Sequence, residues 1–307
     1  MINKITNLFS TLYLLLFSFI GTAQISDAST IVVKNATLEL LADGYIFTEG
    51  PAVDQNGNVF FTDQPYNKII RWDAQTKKTS VFSSESGRSN GMYFDKTGYL
   101  ITCADMDNQL WQFDNEGNHK VIYEDTMNAH NGPNDLWIDA KNGIYFTDPL
   151  YVRNYWQRDS ISKRTGKHVY YLSPDRKKIT VVDDKLVQPN GIIGTPDGKK
   201  LYVADINDSK TYVYDIQPDA TLANRRLFCE MGSDGMTIDN QGNVYLTGNG
   251  VSVFNKDGFP IAHIPVPEKW TANVCFGGKN NDLLFITAMD AVYGLKMNVK
   301  GVNHGQK

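Results

Sequence analysis

The sequence predicts an all-β fold: a six-bladed β-propeller with four-stranded blades around a central channel. Three observations carry this. One motif recurs with a period in the low forties, as short-stranded propeller repeats do. Each copy holds a Gly-containing turn between two apolar runs, which is hairpin chemistry. No segment shows the long 3.6-residue periodicity that an α/β fold needs. The 25 Gly, 16 Tyr and 15 Phe among 307 residues suit tight turns and short strands.

In chain order, Met1 to Ile20 comes first. Lys4 precedes an apolar run from Leu8 to Ile20, and the small residues Gly21, Thr22 and Ala23 follow. This is the layout of a secretory signal peptide. The run is short for a membrane span. Residues 1–23 are therefore expected to be removed, leaving one propeller domain over 24–307 in the periplasm or secreted, with no membrane attachment. The stretch TIVVKNATLEL from Thr30 is expected to pair with the last strands and close the ring.

The copies begin at Glu49, Asn90, Asn134, Asn190, Asp234 and Asn273, with start-to-start gaps of 41, 44, 56, 44 and 39 residues. Turn pairs such as Asn56-Gly57, Asp197-Gly198 and Gln241-Gly242 separate their two apolar runs. Downstream runs, such as KIIRWD after Asn67 and KTYVYDI after Ser209, supply the outer strands. The 56-residue gap holds an insertion, Pro149 to His168, rich in aromatics and Arg. Insertions in repeat folds gather on one face, often the binding face, so this one is expected to cover a substrate. Asp105 ends the second strand of its copy, as Asp63, Asp148 and Asp205 do in theirs, which suggests an aspartate bonded to the next blade's backbone.

Composition excludes some functions. With 30 Lys and Arg against 34 Asp and Glu, the net charge is −4, which offers no basic surface for nucleic acid. Three cysteines, Cys103, Cys229 and Cys275, form no zinc pattern. Each lies in an apolar run, so three buried free thiols are expected. Gly87-Arg88-Ser89-Asn90-Gly91 matches the serine-hydrolase elbow, but a hairpin follows where that motif requires a helix. The five His form no metal-spaced pair, and His130 and His168 read as loop residues.

The six initial residues occupy equivalent places and would converge at the channel mouth. Carboxylates and carboxamide oxygens are hard ligands for Ca²⁺, Mg²⁺ or Mn²⁺. Glu49 and Asp234 would balance one divalent charge.

The chain resembles the gluconolactonase, senescence marker protein 30 and luciferin-regenerating enzyme family of six-bladed propellers. The resemblance rests on TEGPAVD at Thr48, NGPNDLWIDAKNGIYFTDPLY at Asn131, QPNGI at Gln188, SDGMTID at Ser233 and ANVCFGG at Ala272. It implies one divalent cation, Ca²⁺ first, with Zn²⁺, Mg²⁺ or Mn²⁺ as alternatives. It implies Glu49, Asn190 and Asp234 as ligands, with Asn134 as a further direct or water-bridged contact. It also implies hydrolysis of sugar-acid lactones, with Asp234 as the general base. Asn90, Asn134 and Asn273 would bind substrate hydroxyls and the developing oxyanion. Many relatives carry Cys-Glu-His where this chain has Cys103, Ala104 and Asp105, so its specificity would differ if that position touches substrate. The expected partner is a small-molecule lactone substrate, and the chain is expected to be a monomer. The alternatives are a sugar-binding propeller without turnover, or a metal-dependent hydrolase of other esters.

Overall fold

A computed structural model describes residues 30–126, 130–156 and 166–302. The expected signal peptide and the middle of the insertion lie outside them. Six antiparallel four-stranded sheets follow in chain order, and the innermost strand of each contacts those of its neighbours to close a ring. The inner strands are Thr48–Val53, Met92–Phe94, Leu136–Ile138, Pro189–Gly194, Met236–Ile238 and Thr271–Gly277, here blades 1 to 6. Glu39–Ala42 is the outermost strand of blade 6, paired with Ala291–Lys296. The ring therefore closes through the N-terminal segment, as its position before the first copy predicts.

The turns follow local chemistry. In blade 1, Asp54 Oδ1 accepts from the N–H groups of Asn56 and Asn58 at 2.8 and 2.9 Å. Asp239 repeats this with Gln241 and Asn243 in blade 5. Gly57 and Gly242 take φ of 82° and 83° in these turns, a region that penalises a Cβ.

The apolar core lies between blades rather than at the axis. Phe61 and Trp72 of blade 1 pack on Phe285 of blade 6, at ring-centroid distances of 5.8 and 5.7 Å. Burying each such ring contributes roughly 1.5–3 kcal/mol. Cys103, Cys229 and Cys275 are buried free thiols, as expected.

The aspartates after the second strands act differently from the expectation. Asp63 accepts from Ile46 and Phe47 N–H, Asp148 from Asn131 and Gly132, and Asp205 from Val187 and Gln188. Each ties down the segment entering its own blade, not the next one. The cross-blade bond comes from the preceding threonine instead: Thr62 Oγ1 donates to Asn90 O at 3.4 Å and Thr247 Oγ1 to Ala272 O at 2.8 Å.

Candidate metal and substrate site at the channel mouth

Strand pairing sets which residues are equivalent around the ring. Leu136 and Met236 occupy one place, because each pairs with the residue before the threonine of its second strand, Phe146 and Leu246, and counting back from Val53, paired with Val59 as Ile138 is with Ile144, gives Pro51 in blade 1. In blade 6 that place belongs to Val274, paired with Ile286. Counting back one residue gives Gly50, Gly91, Asp135, Gly191, Gly235 and Asn273. Counting back two gives Glu49, Asn90, Asn134, Asn190, Asp234 and Ala272. Asn273 is thus one place out of register with the other five predicted residues. Hydrogen bonds confirm the shift. Asp135, Gly235 and Asn273 each donate their N–H to the threonine of their second strand, Thr147, Thr247 and Thr287, at 3.2, 2.8 and 3.0 Å.

Two blades, 3 and 6, therefore carry a polar side chain where four carry glycine. They face each other across the ring. Their neighbours make room for them. A Cβ on Gly91 would come within 2.3 Å of Asp135 Oδ1, and one on Gly235 within 1.9 Å of Asn273 Cγ. The two side chains meet over the channel, with Asn273 Nδ2 3.4 Å from Asp135 Oδ2 and 3.3 Å from Glu49 Oε2.

A second hydrogen-bonded row lies beside this one. Asn190 donates one amide hydrogen to Tyr151 Oη at 2.9 Å and the other to Asp234 Oδ1 at 2.8 Å. Asp234 Oδ2 accepts from Trp270 Nε1 at 2.6 Å. Asn190 is fully buried, and its Oδ1 has no hydrogen-bond partner. Such an orphaned acceptor is costly unless something fills it.

The acids here are strained electrostatically. Burial, then the nearby charge of Asp234, pushes the Glu49 carboxyl well above the usual range. Burial pushes Asp135 up to about 7, against hydrogen bonds from Leu136 and Asn273. Burial also raises Asp234, opposed by the donors Trp270 and Asn190. Glu49 and Asp135 are buried and Asp234 partly so, with Arg153 the one cation whose charge lowers Asp234, and a bound cation would relieve this cluster.

Asp135, Tyr151 and Trp270 were not anticipated from sequence. A signal for Asp135 did exist: it stands where four other copies have glycine. Tyr151 and Trp270 lie outside the repeat. Of the predicted residues, Glu49, Asn190, Asp234 and Asn273 join these rows. Asn90 and Asn134 are buried at equivalent places, and their backbones join neighbouring blades: Gly91 N–H donates to Asn134 O at 2.7 Å.

The described part of the insertion folds over the mouth. Tyr151 reaches Asn190, Trp156 Nε1 donates to Asp105 Oδ2 at 3.2 Å, and the Arg88 guanidinium sits 4.1 Å from the Tyr155 ring centre. His130 is not a loop residue in solvent. It is buried, with its ring 3.4 Å from Asp148 Oδ2 and 2.6 Å from Tyr123 Oη. Ser89 Oγ is buried and donates to Ser86 O, next to Thr102 Oγ1, and a strand follows, so the elbow motif is coincidental.

A cavity of about 390 Å³ opens at the other end of the channel, among the turns at Asp54–Asn56 and Asp95–Gly98, with Phe60, Tyr93 and Ile193 in its wall. None of the clustered acids lines it, so volume and chemistry point to opposite ends. The chemistry lies with the acids.

A family model described as the SMP-30/Gluconolactonase/LRE-like region matches residues 47–290. A gluconolactonase from Zymomonas mobilis subsp. mobilis is 28% identical over 302 aligned residues, covering 88% of this chain and 84% of its own. Lactonase drp35 from Staphylococcus haemolyticus is 30% identical, covering 74% and 72%. The solved structure of a gluconolactonase from Xanthomonas campestris superimposes with a TM-score of 0.80 at 26% identity, covering 87% of this chain and 91% of its own. With the ring of six blades and the family match across it, this chain belongs to the SMP-30/gluconolactonase/LRE-like family.

Proposed function

We propose that the protein is a metal-dependent lactonase acting on sugar-acid lactones at the channel mouth. The relatives named gluconolactonase and lactonase support the reaction class. The observation that carries metal dependence is the buried, unpartnered Asn190 Oδ1 beside three mutually repelling carboxylates. Among the described residues no group of three or more His, Cys, Asp and Glu is placed to hold a metal ion. The buried carboxamide oxygen of Asn190 is the neutral donor that would join the carboxylates. Glu49, Asn190 and Asp234 would hold the cation, with Asn134 a further contact, and all-oxygen donors favour Ca²⁺. Such a cation supplies Lewis-acid polarisation of the lactone carbonyl.

The chain's own groups do the rest. Both Asp234 oxygens accept N–H bonds, which fix the carboxylate in place and suit a ligand more than a base. Asp135, with a proton affinity near neutral pH, suits the general base that takes a proton from the attacking water. Asn273 holds Asp135 in place through its amide and keeps Glu49 on the same side of the channel. Asn90 and Asn134 lie on the same rim, where they would meet substrate hydroxyls. Tyr151, from the insertion, orients Asn190 and shields the site from water.

A pH-stat screen of sugar lactones with chelation and metal add-back tests this reading. Metal-restored hydrolysis of at least one sugar lactone is expected. Background rates with every lactone would favour a binding propeller. The expected export and monomeric state belong to the same proposal.

A further inference from the structure

Trp270 is a large aromatic side chain left 36% exposed beside the half-buried Asp234. Its single donor, the indole N–H, is already committed to Asp234 Oδ2 at 2.6 Å. That bond pins one edge of the ring and leaves its apolar faces without hydrogen-bonding work. The space around the far edge has a cause in the repeat. Where blades 1, 3 and 4 end their second strand in Asp63, Asp148 and Asp205, blade 5 ends in Gly248. A Cβ built on Gly248 would find only Trp270 Cη2 within 4 Å, at 3.8 Å. The six-membered ring thus stands over a bare glycine at the mouth, held flat by its other end.

A rigid exposed indole with its polar edge satisfied is a stacking surface. Its neighbours are carboxylates and carboxamides, which bind hydroxyls. A ligand matching both has hydroxyls around its edge and C–H bonds on its face, which describes a closed sugar ring. We propose that Trp270 is a specificity residue: its indole face stacks on the pyranose ring of the substrate while its N–H orients Asp234. The inference rests on the lactonase reading and names the part of the substrate that this site recognises.

The test uses 1,5-anhydro-D-glucitol, a pyranose that has no lactone bond to hydrolyse, titrated calorimetrically into the Ca²⁺-loaded full chain. Trp270→Ala is expected to weaken its binding at least about tenfold, a difference of about 1.4 kcal/mol. Trp270→Phe, which keeps a flat ring and loses the donor, is expected to stay within about threefold of the parent. Trp270→Met, with apolar bulk and no flat ring, should resemble the alanine variant and serves if that variant does not fold. The proposal is overturned if the parent does not bind the sugar. It is also overturned if phenylalanine loses as much as alanine or methionine, since the N–H alone would then matter. Should the parent bind the sugar through Trp270 yet hydrolyse no lactone, the stacking surface stands and the lactonase reading fails.

Discussion

Asn273 Nδ2 lies 3.4 Å from Asp135 Oδ2, joining blade 6 to blade 3 across the channel. The same amide lies 3.3 Å from Glu49 Oε2. One carboxamide thus separates two buried acids that would otherwise meet. Replacing it with Asp should destabilise the chelated protein by about 1–3 kcal/mol, the cost of leaving buried polar groups unpaired. Chemical denaturation with and without Ca²⁺ checks this, and the loss should shrink when the cation is present.

Gly235 is required by contact rather than by conformation, since its φ is not positive. A Cβ there would meet Asn273 Cγ at 1.9 Å. Gly235→Ala should cost about 1–3 kcal/mol through overpacking and weaken Ca²⁺ binding by displacing Asn273. Calorimetric Ca²⁺ affinity alongside the melting temperature measures both effects.

The acids also predict how stability depends on pH. Asp135 is raised from an ordinary value near 4 to about 7, and Glu49 and Asp234 move the same way. The folded, metal-free chain therefore binds more protons than the unfolded chain across that window. The stability that Asp135 contributes is highest below about pH 4, falls as pH rises toward about 7, and levels off above, and Glu49 and Asp234 lose theirs in the same direction. A cation favours the ionised forms, so the Ca²⁺-induced rise in melting temperature should grow from pH 5 to pH 7.5. Asp135→Asn should flatten this dependence in thermal melts.

Ser89 offers a control. Its hydroxyl donates to Ser86 O at 2.6 Å within the fold. Ser89→Ala should leave lactone turnover within about twofold and cost about 1 kcal/mol of stability. A thousandfold loss of turnover would revive the serine-hydrolase alternative.

The repeat was legible because hairpin chemistry is local. Asp54 and Gly57, or Asp239 and Gly242, declare their turns within a few residues. Glu49, Asn190 and Asp234 were legible because a polar residue before glycine marks the strand entry. Blade 6 breaks that rule: Ala272-Asn273-Val274 has no glycine, and only strand pairing shows that Asn273 sits where other blades have it. Asp135 was hidden behind its neighbour Asn134 for the same reason. Tyr151 and Trp270 come from segments outside the repeat, so no periodicity could bring them to Asn190 and Asp234. The Cys103-Ala104-Asp105 departure also has a structural sequel. Asp105 accepts from Trp156 of the insertion, so this altered position touches the cover of the site.

The proposed site makes Glu49, Asn190 and Asp234 the holders of a cation on which lactone hydrolysis depends. The most direct measurement is Ca²⁺ titration of chelated Glu49→Gln and Asp234→Asn against the parent, with glucono-1,5-lactone turnover followed in the same samples. Stoichiometric binding and restored turnover are expected in the parent. Each folded variant should lose at least about a hundredfold in affinity and show no restored turnover. Turnover by the chelated parent at its full rate, or unchanged Ca²⁺ affinity in both variants, would contradict it.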